Sequence, residues 1–515
     1  MTARDTGTVR TTSVVEEAAP TAAFARRLAV AMRERGMRQA DVIRAAEGLG
    51  SRLGKSQMSQ YVGGKTMPRR RVMATLAEVL GVDAEWLSGR GADEPPASGP
   101  ASDEASDEHP LRTIRKSSKL EHVLYDVRGP VVDEANRMEA AGKHILKLNI
   151  GNPAPFGFRT PDEVVEDMRA QLPDCEGYSD SRGMFSARKA IMQYAQLKGL
   201  PNVRMDGIYT GNGVSELIQM CMNALLDNGD EILIPAPDYP LWTACATLAG
   251  GTPVHYVCDE SAEWMPDIAD MERKVTPRTK AVVIINPNNP TGAVYPREVL
   301  EDIVALARRH GLAIFSDEIY DRLVMDGEEH VSLASMAPAL FCVTFSGLSK
   351  SHMIAGYRIG WMVMSGNLRI ASDFILGVNM LSNMRLCSNV PAQSVVQTAL
   401  GGNQSVRGYI EPGGRVREQR DYVWEALNQI DGVSCVKPKA AFYAFPRIDT
   451  KRFNIRDDER FALDLLHEKR LLVTCGTGFN WGRPDHFRIV YLPRVGVLRE
   501  AMGLLGDFLA GYRQE

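Results

Sequence analysis

A lysine with apolar and small neighbours is the first residue of this chain whose surroundings suggest chemistry. It lies in residues 343–360, VTFSGLSKSHMIAGYRIG, where an apolar run ends at hydroxyl residues and then at Lys350. These neighbours favour burial of the amine, which predicts that Lys350 is a nucleophile rather than a surface charge. Eight residues further on, Arg358 lies between Gly356 and Gly360. Its planar guanidinium is suited to binding a phosphate.

Four other motifs place polar residues where predicted strands end. Residues 210–216, TGNGVSE, follow a strand and open a helix, so free backbone N–H groups and the Ser215 hydroxyl suit a phosphate. Residues 286–292, NPNNPTG, follow another strand. Asp317 ends a third, where a buried acid needs a cationic partner, and Arg488 in an apolar strand is suited to a carboxylate. Taken singly, each motif is also compatible with a plain turn or a structural salt bridge.

Apolar runs that are typical of strands alternate with helical stretches through most of the chain. This order predicts the sheet that positions the motifs. The runs are 207–210, 231–235, 254–257, 281–285, 312–316, 341–345 and 361–364. The alternation predicts an α/β fold in which a mostly parallel, seven-stranded sheet is covered by helices on both faces. The predicted unit extends over residues 113–515, and the family resemblance that its motifs carry implies a smaller α/β domain as well.

The composition narrows the class of protein. With 515 residues and 44% hydrophobic side chains, the chain can form several domains with a substantial core. Its eight cysteines all lie beyond residue 170, without a C-x-x-C pair or a metal-ligand arrangement, which favours reduced thiols and no metal site. No apolar run is long enough to cross a bilayer, and residues 1–20 lack a signal-peptide core. We therefore expect a cytoplasmic protein with no membrane partner.

The first fifth of the chain differs from the rest. Residues 1–20 lack periodicity and are predicted to be a disordered tail, while residues 21–90 show the spacing of five short helices. Residues 21–92 hold 13 Lys and Arg against 6 Asp and Glu, so an anionic partner is expected. Residues 91–112, rich in Pro, Ser, Asp and Glu, are predicted to be an acidic flexible linker.

The basic segment resembles the Cro/C1-type helix-turn-helix domain over about seventy residues. The resemblance rests on Gln39, on KSQMSQYV at 55–62, on GKTMP at 64–68 and on LGVDAEWL at 80–87. It implies a third helix in the major groove of DNA. The residues expected at base edges are Ser56, Gln57, Ser59 and Gln60, and those expected at phosphates are Lys55, Lys65, Arg69, Arg70 and Arg71. The turn before the third helix is longer than is usual in that family, and a module for protein contacts alone stays open.

The remaining motifs occur in the order found in class I/II aminotransferases, the fold-type I family, and together they cover about four hundred residues. The resemblance implies pyridoxal phosphate as the cofactor, with Lys350 as the catalytic residue that binds it covalently. The cofactor-binding residues that it implies are Gly213, Val214, Ser215, Tyr239, Asn289, Asp317, Tyr320, Ser349, Lys350 and Arg358. The substrate-binding residues that it implies are Gly151, Asn289 and Arg488.

The family also assigns individual roles. By resemblance, Asp317 keeps the pyridine nitrogen protonated, Tyr239 stacks on the ring, and Arg488 binds the α-carboxylate of the amino acid. Tyr178, in YSDSRG, corresponds to a tyrosine that reaches the phosphate of the neighbouring subunit, so the resemblance implies a homodimer with shared active sites.

The sequence leaves two questions open, the substrate and the class of protein. Residues 346–362 and NIGNPAPFGF at 149–158 look closest to bacterial alanine aminotransferases, which would use an amino acid and a 2-oxo acid, here alanine and 2-oxoglutarate. Aspartate aminotransferase is the near alternative. A hypothesis of another class is a transcription regulator that uses the pyridoxal-phosphate domain as a sensor.

Overall fold

The computed structural model describes residues 20–89, 115–123 and 129–515. The chain divides into two compact units, Met1–Thr113 and Ile114–Glu515. The predicted tail and the predicted acidic linker lie outside the described residues, except for Pro20, where the first helix begins. Within the described ranges, no helix is both long enough and apolar enough to cross a membrane.

The first unit contains five helices at the places that the sequence predicts. They are α1 (Pro20–Glu34), α2 (Gln39–Gly48), α3 (Lys55–Val62), α4 (Arg70–Leu80) and α5 (Ala84–Leu87). Phe24, Leu28, Met58 and Leu76 are fully buried and form one apolar core with residues of all five helices. Burial of this stripe from each helix stabilises elements that are individually too short to be stable in water.

The second unit contains fifteen α-helices and fifteen strands within its described residues, joined by short 3-10 turns and loops. The helices are α6 (Pro130–Ala140), α7 (Asp162–Gln171), α8 (Phe185–Leu197), α9 (Val214–Leu225), α10 (Leu241–Leu248), α11 (Ile268–Lys274), α12 (Arg297–His310), α13 (Leu348–Ser351), α14 (Ser372–Met384), α15 (Val390–Ser394), α16 (Val396–Gly401), α17 (Arg407–Ile410), α18 (Arg415–Gln429), α19 (Asp458–Lys469) and α20 (Val495–Leu509). The strands are β1 (Leu146–Lys147), β2 (Ile208–Gly211), β3 (Glu231–Ala236), β4 (Thr252–Asp259), β5 (Met265–Pro266), β6 (Thr279–Ile285), β7 (Ala313–Asp317), β8 (Phe341–Gly347), β9 (Gly360–Gly366), β10 (Val433–Ser434), β11 (Tyr443–Ala444), β12 (Arg447–Ile448), β13 (Leu471–Leu472), β14 (Thr474–Cys475) and β15 (Phe487–Val490).

The central sheet has the strand order β2-β9-β8-β7-β6-β3-β4-β5. Neighbours from β8 through β4 pair in parallel, whereas β9 runs antiparallel to both of its neighbours and β5 antiparallel to β4. The predicted mostly parallel α/β sheet is confirmed. The predicted count of seven strands is wrong by one, because β5 is a two-residue edge strand ending in proline and carries no alternating pattern.

The carboxyl ends of four parallel strands bring the predicted motifs to one edge of this sheet. The strand β3 leads to Tyr239, β6 leads to Asn289, β7 ends at Asp317, and β8 leads through a sharp turn to Lys350. Ligands of open α/β sheets bind at this edge, so the topology itself collects the candidate residues. Side chains of β8 alternate between two apolar clusters on opposite faces, Cys342 in one and Val343 and Phe345 in the other.

Two smaller sheets carry or lead to the remaining predicted site residues, Arg488 and Gly151. The strands β11, β15 and β14 form an antiparallel sheet that carries Arg488 on β15. The short strand β1 pairs in parallel with β13, and the chain leaves it toward Gly151. The helices α18, α19 and α20 cover these strands with a continuous apolar core that includes Leu427, Phe461 and Leu505.

Candidate active site

A cavity of about 530 Å³ at the carboxyl edge of the central sheet brings most of the predicted site residues together. Those that line it are Gly151, Val214, Ser215, Tyr239, Asn289, Asp317, Tyr320, Ser349, Lys350, Arg358 and Arg488. Two predicted residues do not line it. Gly213 lies directly behind Arg358, and Tyr178 is on the surface, 83% exposed.

Lys350 reaches the cavity from α13, which follows the fully buried strand β8. Its Nζ donates a hydrogen bond of 2.7 Å to the carbonyl oxygen of Gly151. Ser349 and Ser351 are buried, but Lys350 itself is only half-buried, so the expected burial of the amine is correct for its neighbours and too strong for Lys350. The reason is the cavity, since a side chain that lines an open cavity keeps part of its surface accessible.

The start of α9 and Arg358 form a cradle for an anion. Gly213 has a φ of 85°, and a Cβ at this position would lie 2.1 Å from Nη2 of Arg358, so only glycine permits the approach. The Arg358 guanidinium is oriented by donating to the carbonyl oxygens of Ala355 at 2.9 Å and Asn212 at 3.1 Å. A fixed cation therefore faces the free N–H groups of a helix N-terminus, which is a favourable site for a phosphate.

Asp317 is a buried carboxyl with no cationic partner in the described part of the chain. Its side chain accepts hydrogen bonds from Nε1 of Trp242 and the backbone N–H of Ile319, both at 3.3 Å. It forms no salt bridge with any residue that the structure describes, and burial raises its pKa to about 6. Because an ionised buried carboxylate is costly unless it is paired, the site is suited to a ligand that presents a positive charge to Asp317.

Arg488 lines the same cavity and is held in place by hydrogen bonds and by two aromatic rings. Its Nη1 donates to Oδ1 of Asn289 at 3.1 Å, and its Nη2 donates to the carbonyl oxygen of Asn149. The guanidinium carbon lies 4.5 Å from the ring centroids of both Tyr443 and Phe479. A buried guanidinium fixed in this way is pre-organised for a carboxylate. Asn289, whose oxygen accepts from Arg488, keeps its NH₂ group as the donor.

Three aromatic residues of the site were not identified from the sequence. Tyr443 lines the cavity, and its hydroxyl lies 2.7 Å from that of Tyr320. Trp242 and Phe479 contact Asp317 and Arg488. All three occur in apolar or turn segments that are typical of a core, so Trp242 and Phe479 have no local signal of a role at the site. Tyr443 offers one weak indication, as a hydroxyl within the apolar run AAFYAF.

Tyr178 belongs to a surface that also includes one face of α14. The loop after Tyr178 is attached to this helix, since Ser181 donates to Asn383 at 2.6 Å and Arg182 donates to Asn379 at 3.0 Å. Next to it, α14 exposes Leu376, Met380 and Met384, which recur every four residues, and Phe185 is exposed as well. Tyr178 does not reach the cavity of its own chain.

The candidate DNA-binding residues lie on one side of α3. Ser56, Gln57, Ser59 and Gln60 are exposed, whereas Met58 and Tyr61 of the same helix are buried in the first unit's core. The exposed basic residues are Lys55, Lys65, Arg69, Arg70 and Arg71. Gln57 also accepts a hydrogen bond from the backbone N–H of Gly54 at 3.3 Å, at the start of the helix.

The geometry agrees with comparisons to known proteins. A family model described as aminotransferase class I and II matches residues 143–501. Glutamate-pyruvate aminotransferase AlaA of Escherichia coli is 57% identical over 404 residues, 78% of this chain and 100% of the relative. Alanine aminotransferase of Mycobacterium tuberculosis is also 57% identical over 404 residues, 78% of this chain and 94% of the relative. The crystal structure of an aminotransferase from Escherichia coli has a TM-score of 0.78 and 57% identity, covering 78% of this chain and 100% of that one.

The match includes every residue that lines the cavity, and it leaves α1 to α5 outside the family model. The anion cradle, the uncompensated Asp317 and the lysine at the end of β8 are features of one kind of cofactor site. The chain therefore belongs to the class I and II aminotransferases, and its cofactor is pyridoxal phosphate.

Proposed function

We propose that the chain transfers the amino group of L-alanine to 2-oxoglutarate, giving pyruvate and glutamate, and that it also runs the reverse reaction. The observation that carries this proposal is the 57% identity to glutamate-pyruvate aminotransferase AlaA over the full length of that relative. The assembled cavity supports retained catalysis, since the lysine, the buried acid and the two arginines line it together. Aspartate remains the alternative amino donor to be tested.

Pyridoxal phosphate fits the groups that the cavity presents. Gly213, Val214, Ser215, Ser349 and Arg358 would hold the phosphate, because they supply backbone N–H groups, hydroxyls and a fixed cation. When bound, the cofactor supplies an electron-withdrawing ring that stabilises negative charge at the substrate Cα.

The ring's polar atoms find matching partners. Asp317 would hold the pyridinium nitrogen, Tyr320 and Asn289 would donate to the phenolic oxygen, and Tyr239 would stack on the ring face. A positive nitrogen removes the cost of ionising a carboxyl that burial keeps at a raised pKa.

The remaining residues position the substrate and move one proton. Arg488 binds the α-carboxylate with its fixed guanidinium, and the backbone N–H of Gly151 donates to the same group. Lys350, whose amine now donates to the Gly151 carbonyl oxygen, lies beside that carboxylate position and takes the proton from the substrate Cα. Retention of the carboxylate by Arg488 favours loss of the Cα proton over decarboxylation.

The test is the absorbance spectrum of the purified holoenzyme before and after addition of L-alanine, followed by 2-oxoglutarate. A visible band that is lost with alanine and restored by 2-oxoglutarate is expected, and the Lys350→Ala variant should show neither change. L-aspartate in the same assay distinguishes the alternative donor. A band that alanine leaves unchanged while aspartate removes it would overturn the alanine assignment and leave the cofactor site intact.

We further propose that two copies of the chain form a dimer in which Tyr178 of each copy reaches the phosphate of the other. The exposed apolar side chains Leu376, Met380 and Met384 beside Tyr178 support this, because a surface of this kind is unusual in a monomer. The attachment of the Tyr178 loop to α14 by two side-chain hydrogen bonds gives the tyrosine a fixed place on that surface.

Complementation between variants tests the shared site. Lys350→Ala and Tyr178→Ala homodimers should each have little activity, whereas a mixed dimer contains one site with both residues intact. Refolding the two variants together should recover about a quarter of wild-type activity if half of the dimers are mixed. No recovery, with mixed dimers demonstrated by differential tagging, would contradict the shared site.

We assign residues 21–90 to a Cro/C1-type helix-turn-helix module and residues 113–515 to the aminotransferase domain. Four exposed polar residues of α3, flanked by exposed Lys55, Lys65 and Arg69, support DNA as the partner of the module. DNA binding would make the protein a regulator as well as an enzyme, and the two activities are independent of each other in this proposal.

Anisotropy of a labelled mixed-sequence duplex with the full chain tests the module. Binding at low salt that weakens steeply as salt rises is expected, and Arg69→Gln with Arg70→Gln should reduce the salt slope by about two. Arg308→Gln with Arg309→Gln, two basic residues of α12, is the matched control. Absence of binding at low salt would exclude DNA as the partner.

A further inference from the structure

The side chain of Tyr443 contacts both halves of the candidate active site. Its hydroxyl lies 2.7 Å from the hydroxyl of Tyr320, which belongs to the segment that carries Asp317. Its ring centroid lies 4.5 Å from the guanidinium carbon of Arg488. The first contact concerns the cofactor side of the cavity, and the second concerns the carboxylate side.

The position of the Tyr443 hydroxyl is fixed by the backbone of Gly151. A Cβ at position 151 would lie 2.1 Å from the hydroxyl oxygen and 2.7 Å from the ring carbon that bears it. The hydroxyl is therefore packed directly against the peptide whose carbonyl oxygen accepts from Lys350. Because Tyr443 is buried and packed on this side, its hydroxyl has little freedom to leave Tyr320.

The chemistry of hydroxyls sets the direction of the tyrosine pair. A tyrosine hydroxyl has one hydrogen to donate and lone pairs that accept. If Tyr320 donates its hydrogen to the cofactor's phenolic oxygen, the bond between the two tyrosines has to be donated by Tyr443. Donation into the Tyr320 oxygen polarises the Tyr320 O–H bond and strengthens its own donation.

We propose that Tyr443 is a positioning residue that acts on both sides of the site, donating through Tyr320 to the cofactor's phenolic oxygen and orienting the Arg488 guanidinium for the substrate carboxylate. This inference rests on the proposed function, since it needs Tyr320 at the cofactor and Arg488 at the substrate. It assigns the two actions to different parts of one side chain, the hydroxyl and the ring.

The hydroxyl is tested with Tyr443→Phe in the holoenzyme without substrate. The readout is the pH midpoint at which the visible absorbance band changes. A donor to the phenolic oxygen draws electron density from it and weakens its hold on a nearby proton, so loss of the donor raises the midpoint. We expect a rise of about 0.5 pH unit for Tyr443→Phe and a larger rise for Tyr320→Phe.

The double variant separates a relay from two independent effects. If Tyr443 acts only through Tyr320, then Tyr320→Phe with Tyr443→Phe should have the same midpoint as Tyr320→Phe alone. A shift with Tyr320→Phe and none with Tyr443→Phe, or additive shifts, would overturn the relay. No shift with either variant would overturn the relay together with the proposed cofactor contact of Tyr320, so the two failures are distinguishable.

The ring is tested by equilibrium binding of 2-methylalanine, which has the carboxylate of alanine but no Cα hydrogen to lose. Tyr443→Phe keeps the ring over Arg488, so its Kd should stay within about twofold of wild type. Tyr443→Leu removes the ring and should weaken binding about five- to tenfold. Phe479→Leu, on the other side of the guanidinium, should weaken it to a similar extent.

A thermal midpoint for each holoenzyme variant confirms that it is folded. An unchanged Kd in a folded Tyr443→Leu variant would overturn the orienting role of the ring. Equal weakening by Tyr443→Phe and Tyr443→Leu would overturn the division of roles between hydroxyl and ring.

Discussion

The short segment 317–321 carries three buried acids, and the acid on one side of it has different partners from the two acids on the other side. Asp317 faces the cofactor cavity and has no salt bridge within the described chain. Glu318 and Asp321 face away from it, and both form salt bridges to Lys198, at 2.5 and 2.8 Å. Burial raises the pKa of Asp317, whereas the Lys198 amine overcomes burial and lowers the pKa of Asp321.

The candidate cofactor-binding acid Asp317 differs from the other two acids in its partners rather than in its burial. The side chains of all three acids are almost fully buried, so each carboxyl needs compensation. Lys198 is the cation for Glu318 and Asp321, whereas no cation among the described residues pairs with Asp317, which supports the proposed pyridinium as its partner. A buried carboxyl without a cation, close to a carboxyl pair that has one, therefore marks the ligand side of the segment.

The largest expected effect is on catalysis. Asp317→Asn removes the negative charge that would keep the pyridine nitrogen protonated, and kcat should fall by about 10³-fold or more. Asp321→Asn changes the same functional group on the other side of the segment and should lower kcat less than about tenfold. Steady-state kinetics with saturating alanine and 2-oxoglutarate compares the two. Equal losses of kcat would remove the distinction between the two sides.

The next effect concerns stability. Lys198→Met leaves Glu318 and Asp321 buried without their cation and should lower the free energy of unfolding by about 3–5 kcal/mol. The control is Lys147→Met, because Lys147 pairs with Glu139 at 2.7 Å on the surface, where both side chains are more than a third exposed. Its cost should be below about 1 kcal/mol. Urea unfolding of both variants measures the difference, and similar costs would contradict a structural role for Lys198.

A third test uses the opposite pKa shifts of Asp317 and Asp321 in the protein without cofactor. The folded pKa of Asp317 is raised from 3.8 to about 6, so its ionisation destabilises the fold as pH rises from about 4 to 6. Asp317→Asn should therefore stabilise the apoprotein at pH 8 by up to about 3 kcal/mol and by much less at pH 4.

Asp321 provides the control of opposite sign. Its folded pKa is lowered, so its stabilising effect is present above about pH 4 and is lost as pH falls below that value. Asp321→Asn should destabilise the apoprotein at pH 8. Thermal midpoints at both pH values are sufficient, and a destabilising Asp317→Asn at pH 8 would contradict an uncompensated charge at that position.

The two sides of the segment also differ in what the sequence revealed. Asp317 is predicted from its place at a strand end and Tyr320 from the family resemblance, and both line the cavity. The apolar runs predict seven of the eight strands of the central sheet. Lys198 was not found, because a lysine near the end of α8 in QLKGL reads as a solvated surface charge. Its partners are about 120 residues away in the chain, and only the packing of α8 against β2 and β9 of the central sheet brings them together.

Tyr443 and the small strands were missed for a related reason. A pattern of apolar residues predicts which elements form, but not which distant elements pair. The two-residue strands β1 and β13 exist only through each other, although they lie far apart along the chain, and Tyr443 acquires its proposed role from Tyr320, 123 residues earlier. A strand-end motif is local, so it can be recognised from the sequence. Contacts between the central sheet and the sheet of β11, β15 and β14 join distant residues, so they cannot be.

The smallest expected effect concerns the hydrogen bond that Trp242 donates to Asp317. Trp242→Phe removes this bond of 3.3 Å but keeps an aromatic ring against Phe345. Loss of a donor to the carboxylate should raise the pKa of Asp317 further and weaken its hold on the pyridinium. The expected loss of kcat is about fivefold, about 1 kcal/mol, because a long hydrogen bond contributes little.

The control is Tyr256→Phe, which removes a buried hydrogen bond to the Val283 carbonyl oxygen in the same sheet. It should lower stability without changing kcat, so an equal loss of kcat in both variants would assign the effect of Trp242 to the packing of the sheet rather than to Asp317.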